Sequence, residues 1–406
     1  MRTLLLMMVP PLFLQAGATY SQPPGPSPDQ AELVNGNNTF AVELYEQLAR
    51  ETGNLFFSPA SISTALGMAY AGAAGGTAAE MRKALQFSLP PDRLHPAMGA
   101  LLNSLNASHP GYQLRVADAL WAQKGEAFLP AYLAITSAHY GAGFHAVDFA
   151  KVPEEVRRTI NQWVERQTED KIKDLLQPGV VTTDTRLILT NAIYFKANWQ
   201  SQFEKTRTQE EDFHLSASET VRAPLMHREG AYNYFDGGTF QVLEIPYKGA
   251  ELSMLVFLPK DPGGLPALEQ SLTPPELKRW LGELHAESKV ILTLPKFKMT
   301  REFELDKALS AMGMKQAFTG GAADFSAMTG RRDLWISAAI HKAYVDVDEE
   351  GTEAAAATAT VFRTLSMRAP QPEPVVFRAD HPFLFVIRDN RSRGILFMGR
   401  VADPTK

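Results

Sequence analysis

The chain has 406 residues, 45% of them hydrophobic and 21% charged, with a net charge of −5, which is ordinary globular composition for a chain able to bury a large core. The charge balance and the scatter of Lys and Arg argue against general attraction to nucleic acid or anionic membrane, and the pairs Arg157-Arg158 and Arg331-Arg332 are too short to form a patch. The absence of cysteine removes disulfides, thiolate nucleophiles and Cys-ligated zinc.

Met1-Arg2 begins the chain with a positive charge, Leu4 to Leu14 is an apolar run, and Ala16-Gly17-Ala18 supplies small residues for cleavage. Residues 1–18 are therefore expected to be a secretory signal peptide, which implies an extracellular protein, and the run is too short for a membrane span. Thr19 to Gln30 is Pro-rich and reads as an extended linker, with one folded domain over 31–406. Asn37, Asn106 and Asn390 each open an N-glycosylation sequon, of meaning only in a eukaryotic source.

Phe40, Ala41, Leu44, Tyr45 and Leu48 recur at helical spacing, with a stop expected near Gly53. Ser61 to Leu85 is Ala-rich and reads as helix on both sides of a break at Gly72 to Gly76. A further helix follows Pro153, with Val156, Ile160, Trp163 and Val164 on one face and Pro178-Gly179 as its expected end. From Leu187 onward the segments LILTNAIYF, Phe240–Tyr247, Leu252–Pro259, Lys289–Met299 and Val375–Ile387 read as strands separated by turn residues. Helices dominate the first half and strands the second, so the expected class is α+β.

No GxSxG, P-loop, GxGxxG or HExxH motif is present, so the expectation is that the chain is not an enzyme and carries no cofactor or metal. Asp346 to Gly351 resembles the opening of a calcium loop, but the position of its last acidic ligand is Ala357. Ile340 to Val347 reads as a strand with His341, Ala343, Val345 and Val347 on one face. Glu349-Glu350-Gly351 and a run of small residues, Thr352 to Thr360, follow. Propensity alone makes that run a helix with an acidic first turn. Period two makes it a strand whose even-numbered face (Thr352, Ala354, Ala356, Thr358, Thr360) is small and uncharged, with Glu353 and Arg363 on the other face.

The stretch EEGTEAAAATAT resembles the hinge of inhibitory serpins, and FRADHPFLFVI (377–387) resembles the family's C-terminal signature. NLFFSPASISTALGMAYAGAAGGTAAEM (54–81), INQWVERQTEDKIKDLL (160–176), LTNAIYFKANWQSQF (189–203), HKAYVDVDEEGTEA and ILFMGRVADP also match, so the resemblance runs over nearly all of 31–405. It implies the serpin fold, with about nine helices, three β-sheets and an exposed reactive loop. It also implies that Ser58, Ser61, Asn191 and His341 form a polar cluster where the main sheet opens, and that Trp199 stands where insertion begins. The hinge is implied at Glu350, Gly351, Thr352, Glu353, Ala354, Ala355, Ala356 and Ala357.

The family places its bait bond at a nearly fixed distance after the hinge glycine, which here gives Leu365-Ser366. Leucine before the bond suits a protease with an apolar primary pocket, chymotrypsin- or elastase-like. Arg363 and Arg368 raise a trypsin-like rival, and Phe362 and Met367 are further apolar options. The implied partner is a serine protease held in a covalent acyl complex by a monomeric inhibitor. The alternatives are a non-inhibitory serpin with a carrier, storage or chaperone role, and an inhibitor of cysteine proteases. The Pro-rich stretch Met367 to Pro374 departs from many serpins in its length.

Overall fold

A computed structural model describes residues 25–107, 109–141, 143–352 and 373–406. The expected signal peptide, residues 19–24 of the expected linker, hinge residues Glu353, Ala354, Ala355, Ala356 and Ala357, and the bait pair Leu365 and Ser366 lie outside the described residues.

In chain order the elements are α1 (Pro28–Leu48), β1 (Leu55–Phe57), α2 (Pro59–Tyr70), α3 (Gly75–Ala84), α4 (Pro91–Asn106), β2 (Tyr112–Gln123), α5 (Pro130–His139), β3 (Phe144–Val147) and α6 (Pro153–Gln167). There follow β4 (Leu187–Asn198), β5 (Gln209–His214), β6 (Thr220–Asp236), β7 (Phe240–Pro246), β8 (Leu252–Pro259), α7 (Leu265–Ser271), α8 (Pro274–Gly282), β9 (His285–Pro295), β10 (Phe297–Glu304) and α9 (Leu305–Ala311). The chain closes with α10 (Ser326–Thr329), β11 (Ile336–Val347), β12 (Gly351–Thr352), β13 (Val375–Arg378), β14 (Phe383–Asp389) and β15 (Ile395–Val401). The α+β class holds.

Helix α1 starts three residues earlier than the boundary expected at Ala31. Ser27 and Gln30 make a reciprocal capping box, and Pro28 occupies the first turn, where its missing N–H costs nothing. Helix α6 stops at Gln167, well before Pro178, because Glu169 and Asp170 take positive φ and Thr168 turns its hydroxyl back onto Val164. The expected strand Lys289–Met299 divides at Lys296, where the chain passes from one sheet to the other. Val375–Ile387 divides likewise, into edge strand β13 and interior strand β14.

Among the described residues the strands form two sheets rather than the three that the resemblance implies. A six-stranded sheet runs β10-β11-β12-β4-β2-β3. A nine-stranded sheet runs β1-β15-β14-β8-β7-β6-β9-β13, with β5 added on β6. The second is continuous because the 17-residue β6 pairs with β5, β9 and β7 in turn along its length.

The six-stranded sheet is covered on both faces. One face packs Phe195, Ala343 and Val345 against Leu243, Val256 and Phe385 of the other sheet. The opposite face packs Ile188, Ala192, Tyr194, Ile340 and Tyr344 against Ile160 and Val164 of α6. Double coverage explains why LILTNAIYF is an almost unbroken apolar run. It also makes the polar residues inside that run, Thr190 and Asn191, the informative ones.

Candidate functional site

Strands β4 and β11 are parallel neighbours from Leu187 and Ile336 up to Tyr194 and Tyr344. Above that they part, and β12 stands between them. Gly351 pairs with Asn198, and Thr352 pairs with Ala197 on one side and Val347 on the other, antiparallel to both. The six-stranded sheet therefore contains a slot that is closed below and already occupied at its top by two residues of the expected hinge.

The turn into the slot is built by the acidic run. Asp348 accepts the backbone N–H groups of Glu350 (2.9 Å) and Gly351 (3.1 Å), and its own N–H donates to the Gly351 carbonyl (2.8 Å). Gly351 must be glycine, since a Cβ there would lie 2.0 Å from the Ala197 carbonyl oxygen. Thr352 is fully buried, and its hydroxyl meets that of Tyr247 at 3.0 Å. Trp199 stacks on Tyr247 at 4.6 Å and donates its indole N–H to the Asp348 carbonyl (2.9 Å), so it braces the turn from below.

Two ion pairs hold the turn from outside. Glu350 pairs with Lys205, and Glu349 accepts from Lys296 (2.8 Å) and from the Thr208 hydroxyl (2.8 Å). Burial works against ionisation of Glu349, but the Lys296 and Thr208 bonds outweigh it and hold the carboxyl below its ordinary value. The acidic run that follows β11 is thus the clamp at the mouth of the slot.

Lower down, the closed part of the slot is fastened by the expected cluster. Ser58 caps α2, donates its hydroxyl to the Leu396 carbonyl (2.7 Å) and accepts the N–H of Ser61 (3.2 Å). The N–H of Ser58 donates to His341 Nε2 at 3.1 Å. A backbone N–H can only donate, so Nε2 carries the lone pair and the His341 proton is on Nδ1, which donates to Asn191 Oδ1. Asn191 then donates through Nδ2 to Ser61 Oγ (2.6 Å) and to Asp118 Oδ1. Burial lowers the imidazole to about 3, so His341 is neutral at ordinary pH.

Ser58, Ser61, Asn191 and His341 are therefore brought together, and Trp199, Glu350, Gly351 and Thr352 gather at the top of the same slot. Asp118, Tyr247, Lys205 and Lys296 were not foreseen. Asp118 had a signal: in the even-numbered row Leu114, Val116, Asp118, Leu120, Ala122 it is the one charged residue.

The three sequons differ. Asn37 is buried in α1 and donates to the Ile395 carbonyl, and Asn390 donates to Ala250 and Ser253, whereas Asn106 ends α4 exposed.

A profile described as "Serpin (serine protease inhibitor)" matches residues 35–404. The leukocyte elastase inhibitor of Equus caballus is 42% identical over 382 residues, covering 92% of this chain and all of that one. An uncharacterized serpin-like protein of Thermococcus kodakarensis is 42% identical over 375 residues, covering 92% of this chain and 86% of that one. Among solved structures, uncleaved ovalbumin superposes with a TM-score of 0.82 at 28% identity, covering 92% of this chain and all of that one. These findings correct the bare negative drawn from missing catalytic motifs. The statement "not an enzyme" is replaced by a positive one, a family that inhibits an enzyme.

Proposed function

The chain belongs to the serpin family of serine protease inhibitors, and from that premise we propose that it is a secreted, monomeric suicide substrate cut between Leu365 and Ser366. The observation that carries the proposal is the half-begun strand: Gly351 and Thr352 already pair antiparallel with both β4 and β11. A protease attacks the Leu365 carbonyl and forms an acyl-enzyme. The cut frees the segment from Thr352 to Leu365 at its far end. It then continues the pairing that β12 has started, as a strand added inside the sheet. The acylated protease is carried along and its oxyanion hole is pulled out of shape. Loss of one oxyanion donor costs ~10²–10³ in rate, so a modest distortion strands the ester.

The elastase-inhibitor relatives and Leu365 agree on a protease with an apolar primary pocket. The apolar leader over 1–18 supports export. Incubation with chymotrypsin- and elastase-like proteases is expected to give a complex that survives SDS, and mass spectrometry is expected to find a released peptide beginning at Ser366. A peptide beginning at Thr364 or Ala369 would move the bait to an arginine. Fast cleavage with no stable complex would assign the chain to the non-inhibitory members.

A further inference from the structure

The donor chain at the slot runs in one direction. Ser58 N–H donates to His341, His341 to Asn191, Asn191 to both Ser61 and Asp118, and the Ser61 hydroxyl donates to Asp118 Oδ1 at 3.1 Å. Every link ends on one oxygen of one carboxyl. The other oxygen, Oδ2, is sealed from solvent and receives no donor among the described residues. A carboxylate in that position would leave half its charge buried and unpaired, which the neutral acid avoids while Oδ1 still accepts both bonds.

Asp118 lies opposite Asn191 in the β2–β4 ladder, which is paired from Tyr112 to Ala122. The two residues therefore travel together when β4 leaves β11. The bonds that must break are those from this pair to Ser61 on α2 and to His341 on β11. We propose that Asp118 is held as the neutral acid in the closed slot and acts as its positioning residue, so that loss of its proton loosens the fastening and eases opening. The proposal rests on the insertion reading for its functional meaning.

Among the described residues the surroundings do not reverse this. His341 is neutral, and Asp118 shares the lining of a cavity of about 290 Å³ with His139 of α5, Tyr140 and His145 of β3, none of which bonds to it. Arg115 lies on the other face of β2, paired with Glu169. Burial first, opposed by the Ser61 and Asn191 bonds, raises Asp118 to about 8.

The signs follow from linkage. An acid whose folded value is raised gives stability that is full below its unfolded value of 3.8 and is lost as pH climbs to about 8. His341, lowered from 6.5 to about 3, works oppositely, and its contribution is complete once pH exceeds 6.5. The two trends offset each other between 4 and 6.5, and Asp118 acts alone from 6.5 to 8.

The test is the melting temperature of intact wild type and Asp118→Asn from pH 4 to pH 9. Wild type is expected to lose stability from pH 6.5 to 8 while the variant stays level, with a gap of about 5 °C or more at pH 8. The variant should also need more inhibitor per protease at pH 8, because its slot opens more slowly. Parallel melting profiles between pH 6.5 and 8 would overturn the proposal. Should Asp118→Asn fail to fold, Ser61→Ala serves, since removing a donor to Oδ1 moves the wild-type fall to higher pH; an unmoved fall overturns the proposal equally. Melting needs no protease, so a wild type that forms no covalent complex would count against the function while leaving this comparison standing.

Discussion

Thr352→Arg is expected to be cut by the protease as readily as wild type and to release it active. The bait bond lies thirteen residues away in sequence, so attack and acylation are untouched. Insertion is different. Thr352 is fully buried between Val347 and Ala197 with its hydroxyl on Tyr247, and its partners there among the described residues are uncharged. Driving a guanidinium into that position costs several kcal/mol. Each ~1.4 kcal/mol added to the insertion barrier slows it about tenfold, so deacylation wins by about a hundredfold or more. The measurement is the ratio of inhibitor to protease needed for full inhibition, together with the yield of SDS-stable complex. Thr352→Val, which keeps the shape and loses only the Tyr247 contact, is the control and should still trap. An arginine variant that inhibits at the wild-type ratio would contradict the insertion account.

Cleavage at the bait bond is expected to raise the melting temperature by about 10 °C or more, a large shift for a chain of this length. The register of the two residues already in place says what the new strand would do. Continued antiparallel from Thr352, Ala354 falls opposite Phe195 and Val345, Ala356 opposite Ile193 and Ala343, and Thr360 opposite Leu189 and Ala339. Thr358 arrives between Asn191 and His341, the pair whose bond insertion breaks. A hydroxyl that both donates and accepts can then satisfy both partners. Each inserted residue gains ladder bonds on two sides, and the small even-numbered face is buried without burying a charge. Differential scanning calorimetry of intact and nicked protein checks this, and equal melting would place the chain among serpins that do not insert.

Much of the architecture was legible because double-sided burial writes itself as apolar runs. Leu187 to Phe195 read as strand, and His341 fell correctly on the face of Ala343, Val345 and Val347. Helices α1 and α6 were visible from apolar spacing and their glycine or proline ends, and α2 and α3 from alanine content on either side of the Gly72 to Gly76 break. Strand β2 was not, because one of its faces mixes Gln113 and Arg115 with the alanines that meet the opposite core. With β2 unseen, the apolar even-numbered row that singles out Asp118 was passed over, and with it the residue's place in the cluster.

The role of the acidic run was hidden for another reason. Its partners Thr208, Lys205 and Lys296 come from distant loops, and no local pattern joins them to Glu349 and Glu350. The start of the small-residue run was ambiguous between helix and strand in its own composition. At Gly351 and Thr352 the neighbours decide, since the parted ends of β4 and β11 offer unpaired ladder groups on both sides.

The most direct test is a crystal structure of the chain nicked after Leu365. It should show β12 grown into a full strand from Thr352 past Thr358, separating β4 from β11 and parting Asn191 from His341. Strands β4 and β11 still paired from Leu187 to Tyr194, with the cut segment lying outside the sheet, would contradict it.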